Sequence, residues 1–217
     1  MTTTPLDDPS GGEESLAAQA VRRRLGDRQA AVEEEVRRLL DVGLRLMRED
    51  PTGTPRIADI VRTAGVSNDA FYRAFRGKDD LMAAIADDGA RRLLDYIRHQ
   101  RDKADDPAGA LRACVVAVLA QATDPLVAAT TRAVLRNTSA VGQPRSVGVP
   151  GVRERLAAEM VPPLRALGSA DPDRDALVVA CATFAVMEHH LWGEQVPADA
   201  DVEHLVAFAL RGLTPAV

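Results

Sequence analysis

Between Thr54 and Leu81 the chain reads TPRIADIVRTAGVSNDAFYRAFRGKDDL, a run that permits very few local folds. Thr54 can N-cap a helix with Pro55 at its first position, where a missing N–H costs nothing. Ile57, Ile60, Val61 and Ala64 then share one apolar face. Gly65 ends that helix in a left-handed conformation, Val66 plugs the angle, and Ser67 caps a second helix from Asn68. In this second helix Phe71, Ala74 and Phe75 point one way, while Asp69, Tyr72, Arg73 and Arg76 share the opposite face. A third helix follows Gly77, starting at Lys78. Two short helices across a tight glycine turn, with a third at once behind them, make a helix-turn-helix of the kind that docks in a DNA major groove.

The outer face of the second helix carries the chemistry such docking needs. Residues at the N-terminus of a groove-bound helix reach base edges, and Asn68, Asp69 and Ala70 stand there. Asn pairs bidentately with adenine, Asp accepts from the cytosine amino group, and an Ala methyl can touch a thymine methyl. Tyr72 has a hydroxyl at the reach of a phosphate, and Lys78 sits where a third helix aims its first N–H groups at the backbone. The expected DNA-contacting set is Thr54, Ser67, Asn68, Asp69, Ala70, Tyr72, Arg73 and Lys78. The bland alternative is a solvated helix face.

The run from Ile60 through Ala64-Gly65-Val66-Ser67, then Phe71-Tyr72, Phe75, Lys78 and Leu81, resembles the signature of TetR-type transcriptional regulators, spacing included. The resemblance is specific from the helix before Thr54 to Leu81 and only architectural beyond. It implies a homodimeric, ligand-responsive regulator, with a long helix carrying movement between ligand pocket and DNA. Many members have His before the Phe that matches Phe75, where this chain has Ala74. A missing phosphate contact there lowers affinity more than specificity.

The preceding segment, AVEEEVRRLLDVGLRLMRED, places Val32, Val36, Leu39, Leu40, Gly43, Leu44 and Met47 in a stripe at helical spacing. This helix closes a three-helix unit over Ile60, Phe71 and Phe75. Glu33 to Glu35 in its first turn and Arg45 and Arg48 in its last complement the helix dipole.

Scarce aromatics, 3% of residues, with abundant Ala, Leu, Val and Arg favour an all-helical chain. The fold class expected is all-α: a three-helix N-terminal helix-turn-helix domain and a larger C-terminal helical bundle. A net charge of −5 over 217 residues excludes a nonspecific nucleic-acid coater. The charge is unevenly placed. Arg56 to Lys78 holds five basic residues against two acids, whereas residues 104–217 hold nine Arg against thirteen Asp and Glu. A locally positive motif on an acidic body suits a protein that touches DNA at one end.

The domain division expected is a flexible N-terminal extension, 1–27, a helix-turn-helix domain, 28–80, and a ligand-binding and dimerisation domain, 81–217. Residues 1 to about 14 have the Pro, Gly, Asp and Ser composition of a disordered tail. SLAAQAVRRRLGDR has helical propensity, and Arg22, Arg23 and Arg24 read equally as an arm along DNA or as a solvated cluster. The chain shows no signal-peptide pattern and no run approaching the ~18 apolar residues of a membrane span, so a cytoplasmic location without membrane contact is expected.

After Lys78 a long helix is expected to about residue 103, with Leu81, Ile85, Leu93, Tyr96 and Ile97 inward. Further helices are expected at about 107–121, 125–138, 150–167, 172–193 and 200–213, with residues 137–151 irregular and Pro162-Pro163 kinking the helix they occupy. ALVVACATFAVM, residues 176–187, is apolar on every side. It must be covered on every side, by its own domain and by a partner. The last helix adds Val202, Leu205, Val206, Ala209, Leu210 and Leu213, and two such helices from each of two subunits can form a four-helix dimer interface. Cys114 and Cys181 read as small core hydrophobes, with thiol sensing as the alternative.

Tyr96, Met160, Phe184, Met187 and Trp192 are candidates to surround a ligand cavity, with Arg132, Arg136, His189 and His190 as polar anchors. The alternative for each is plain core. Adjacent His residues on a helix point about 100 degrees apart, and no metal-ligand spacing, nucleophile-base set or phosphate loop is present. No catalytic residue, metal or cofactor is expected. The partners expected are a pseudo-palindromic operator duplex, a small-molecule effector and a second copy of the chain. The function expected is a homodimeric repressor released by its effector; an activator shares the fold with the opposite sign of coupling. The rival class is an all-helical small-molecule-binding protein or enzyme whose N-terminal unit is only structural.

Overall fold

Ser15 starts the first helix, α1 (Leu16–Glu49), its Oγ accepting from the Ala18 N–H at 3.2 Å. The computed structural model describes residues 15–50, 53–139 and 151–213. Behind α1 come α2 (Ile57–Ala64), α3 (Asn68–Ala74), α4 (Lys78–Arg101), α5 (Pro107–Leu119), a single 3-10 turn at Ala120–Ala122, α6 (Pro125–Ser139), α7 (Val152–Ala166), α8 (Pro172–Trp192) and α9 (Asp199–Gly212). The chain is all-α, with no strand among the described residues. No single helix there is long and apolar enough to cross a membrane.

One device starts three helices. Asp106, Asp124 and Asp171 each precede a proline, and each carboxylate accepts from N–H groups of the first turn: Gly109 at 2.7 Å, Leu126 and Val127 both at 2.9 Å, and Arg174 at 3.2 Å. The carboxylate satisfies donors the helix cannot, and proline removes one.

The core forms two clusters. The first joins Leu39 and Met47 of α1, Ile60 of α2, Phe71 of α3, Leu81 and Ile85 of α4, and Ala133 of α6. The second joins Ala90, Leu94 and Ile97 of α4 to buried faces of α5 through α9. The α4 helix therefore belongs to both, and the first cluster reaches past residue 80. Gly43 lets α1 and α4 approach: a Cβ there would stand 2.7 Å from Ile85 Cδ1.

Several expectations are corrected. The extension expected to be flexible over 1–27 is helical from Leu16 and continuous with the α1 helix through Gly26; residues 1–14 lie outside the described residues. Thr54 and Pro55 do not begin α2. Its first bonds run from the Asp59 and Ile60 N–H groups to the Arg56 carbonyl, so Arg56 is the N-cap residue, without a side-chain cap. Ala74 is exposed, because α3 ends there and Phe75, at φ −134° and ψ 136°, swings inward by extended backbone instead of helical phase. Tyr96 is 47% exposed, out of phase with the buried Ala90, Leu94 and Ile97. Of the irregular connection expected over 137–151, residues up to Ser139 continue α6 and 140–150 lie outside the described residues. Pro162 and Pro163 do lie inside a helix, α7, as expected.

Candidate nucleic-acid interface and cavity

Gly65 takes φ 63° and ψ 33°, the left-handed conformation the turn requires. Its N–H donates to the Arg62 carbonyl at 3.3 Å and the Val66 N–H donates to the Val61 carbonyl at 3.1 Å, the paired bonds that close a helix on a C-terminal glycine. Two residues on, Ser67 Oγ accepts from the Ala70 N–H at 3.1 Å and starts α3. Phe71 is fully buried, with Tyr72 edge-on at 5.2 Å and Phe75 at 5.8 Å between ring centroids. These contacts fix which face of α3 points outward.

Asn68, Asp69, Tyr72 and Arg73 are on that outward face, and Arg76, past the end of α3, is exposed as well. Ala70 is not. It is buried, a position that withdraws its methyl from any thymine. Ser67 is exposed but its Oγ is engaged as the cap. Thr54 is exposed and lies before α2, and Lys78 is the first residue of α4, whose N-cap Gly77 brings no capping side chain. Arg62 pairs with Asp59 at 2.6 Å, leaving Arg56, Arg73, Arg76 and Lys78 as the cations around α3.

A cavity of about 350 Å³ lies where the two core clusters meet. Leu40 and Leu44 of α1, Ile85 and Leu93 of α4, and Val127 and Val134 of α6 form much of its wall; Phe184 and Met187 of α8 close it. Polar groups are few and distributed: Gln121, Thr130 and Thr131 on one side, and Asp41, Asp88 and Glu188 with Arg48 and Arg92 elsewhere. Thr131 Oγ1 donates to Gln121 Oε1 at 3.4 Å, and Asp88 is held by Arg91 and Arg92 at 2.9 and 2.6 Å. Burial pushes the Glu188 carboxyl above the usual carboxylate range, partly opposed by Arg153 at 3.3 Å. A mainly apolar wall with a few placed polar groups suits a small organic molecule.

Residues 39–85 match the family model described as "Bacterial regulatory proteins, tetR family". Beyond that segment, a TetR-family transcriptional regulator from Pectobacterium atrosepticum superposes with a TM-score of 0.61, at 21% identity over 84% of this chain and 91% of that one. The chain carries a TetR-family DNA-binding domain on a TetR-family fold. A TetR-type regulator from Streptomyces avermitilis gives a TM-score of 0.62 at 21% identity, covering 81% of this chain and 97% of that one. RolR, solved in complex with resorcinol, gives 0.58 at 19% identity, covering 86% and 91%. No curated protein matches in sequence.

On this TetR-family fold the expected ligand residues separate into groups. Phe184 and Met187 line the cavity. Met160 is fully buried in the C-terminal core, and Tyr96 and His189 face outward. Arg132, Arg136 and Trp192 lie outside the cavity lining. Arg132 donates to the Leu191 carbonyl at 3.1 Å, a C-terminal α8 oxygen without a helical donor, and the Arg136 guanidinium lies 5.5 Å over the Trp192 ring. His190 faces Asp201 at 3.4 Å. Sequence reasoning missed Glu188, whose sign was its position one residue after Met187 in an apolar helix. It also missed the α1 and α6 walls, which only the docking of distant segments creates.

The α8 helix has the two faces its composition requires. Ala176, Val179, Ala180, Thr183, Phe184 and Met187 are buried, while Leu177, Val178, Cys181 and Ala185 form an exposed stripe. Cys181 is thus not a core residue, unlike Cys114. The expected α9 stripe, Val202, Leu205, Val206 and Ala209, is buried against the chain's own core, with Leu210 and Leu213 packed beside it. Phe208, 57% exposed, is the large apolar side chain α9 leaves outside.

Proposed function

We propose that the chain is a sequence-specific, DNA-binding regulator of transcription that acts as a homodimer and is released from its operator by a small molecule held in the cavity. The observation that carries this reading is the sharing of α1 and α4. Both helices build the core beneath α3, through Leu39, Leu81 and Ile85, and both wall the cavity, through Leu40, Leu44, Ile85 and Leu93. An occupant that prefers a different separation of α1, α4 and α6 biases the position of α3 directly. Ligand and operator then oppose each other by a reciprocal coupling of about 1–3 kcal/mol. RolR's resorcinol complex and the size of the cavity support a ring-sized organic effector.

The exposed stripe of Leu177, Val178, Cys181 and Ala185 supports a two-fold partner at α8, and a helix-turn-helix that reads a pseudo-palindrome needs one. Tyr72 and Arg73 are assigned to phosphates and Asn68 and Asp69 to base edges. The test is affinity for a selected duplex and its mismatched variants. Asn68→Ala is expected to lose about 1–3 kcal/mol of discrimination at one base pair, and Tyr72→Phe to weaken all sequences alike. Equal binding of every sequence by the unaltered protein would refute the reading and favour a structural N-terminal unit.

A further inference from the structure

The α1 helix is far longer than the domain it serves. Its packed part begins at Val36 and Leu39, and residues 21–34 are exposed without exception. From Leu16 to Glu35 this unpacked stretch spans about 30 Å at 1.5 Å per residue. Its charge is divided: residues 16–28 hold Arg22, Arg23, Arg24 and Arg28 against Asp27 alone, a net +3 in a chain whose total is −5, and Glu33, Glu34 and Glu35 follow nearer the packed part. Arg23, Arg24 and Arg28 form no ion pair or hydrogen bond among the described residues. An isolated helix of this length is marginal in water, and its apolar side chains Val21 and Leu25 are 58% and 62% exposed.

Direction and charge identify the occupant. Residues 40–48 of α1 wall the cavity shared with α6 and α8, so the helix runs away from the C-terminal body as it approaches its N-terminus. The α3 helix packs on α1 and α2, and a duplex on its outer face therefore lies beside the domain from which this helix projects. Arg24 and Arg28, one turn apart, share an edge of the helix next to Val21 and Leu25. Pairing with the same helix of a second copy would set arginine against arginine.

We infer that residues 16–28 form a helical arm that lies along the duplex flanking the helix-turn-helix footprint, with Arg24 and Arg28 on phosphates and Val21 and Leu25 against the sugar edge. This rests on the DNA-binding reading above and extends it to a partner surface outside the TetR-type domain, which starts at residue 39. The arm adds affinity and salt dependence without reading bases.

The test uses the full chain, a selected duplex with long flanks, and the same duplex trimmed to its central footprint. The variants are Arg24→Ala and Arg28→Ala combined, and the corresponding Lys double. Alanine is the stronger helix former, so α1 is retained. On the long duplex the Ala double is expected to lower the slope of log affinity against log salt by about 0.9 per lost contact, roughly 2 in all, and to weaken binding about 10-fold near physiological salt. The Lys double keeps the slope, and on the trimmed duplex the unaltered protein falls to the slope of the Ala double. An Ala double with unaltered slope and affinity on the long duplex would overturn the inference alone. If the unaltered protein selects no duplex at all, the regulator reading falls and the arm with it.

Discussion

The Arg101 guanidinium donates to the main-chain oxygen of Glu159 at 3.2 Å and to its carboxylate at 2.5 Å. That oxygen would ordinarily accept from the N–H four residues on, but position 163 is proline and has none. Arg101, at the end of α4, therefore replaces the missing helical donor of α7, and Arg98 reaches the same carboxylate at 2.6 Å. Pro163 is tolerable inside α7 because a neighbouring helix satisfies the carbonyl it leaves open.

Arg101→Met is accordingly expected to destabilise the fold by about 1–3 kcal/mol, the cost of a buried polar group left unpaired. Pro163→Ala restores an N–H in the helix, so its effect should be more favourable in the Arg101→Met background than in the parent. Urea unfolding of the four proteins measures the coupling. Additive effects would show that Arg101 does not serve that carbonyl.

Gly65 is exposed with open space where a Cβ would stand, so a substitution there meets no clash. Its φ of 63° is the whole cost. Gly65→Ala is expected to lose about 1 kcal/mol and Gly65→Asn less, since Asn tolerates the left-handed region. Denaturant midpoints compare the three.

Much of the DNA-binding domain is legible in the sequence because its signals are local. A glycine that must be left-handed, a serine with free N–H groups ahead of it and two phenylalanines at helical spacing are all read within a dozen residues. Ala70 departs from expectation because it turns inward beside the fully buried Phe71, and Phe75 reaches the core through extended backbone once α3 ends at Ala74. The cavity is of another kind. Phe184 and Met187 could be named from apolarity, but Leu40, Leu44 and Val134 meet them only after distant helices dock. Helix α9 shows the same limit, since periodicity marks an apolar stripe without saying that its own domain already covers it.

The two cysteines should differ sharply in reactivity. Burial pushes the Cys114 thiol up to about 12, whereas Cys181 stands on the exposed stripe of α8. Thiolate is the reactive form, so near neutral pH only Cys181 should label in the native protein, and both in denaturant. If α8 forms the dimer interface, Cys181 should label faster on dilution; a concentration-independent rate at the unprotected value would place the interface elsewhere.

Glu188 makes stability depend on pH. Burial raises its carboxyl, so the folded chain keeps a proton at pH values where the unfolded chain has lost it. The contribution of Glu188 to stability is therefore fully present below the ordinary carboxylate range and is lost as pH rises through the raised value. Glu188→Gln should remove that fall, seen as a flatter denaturant midpoint from about pH 4 upward. An unchanged profile would mean that Arg153 fully offsets the burial.

Selection of bound duplexes from a random pool near physiological salt, followed by titration and stoichiometry on the winning sequence, tests most directly whether this chain reads DNA as a dimer. The expected result is a pseudo-palindrome bound by two chains, with its half-sites about one helical turn or more apart. Weak, salt-labile binding with no sequence enriched would contradict it.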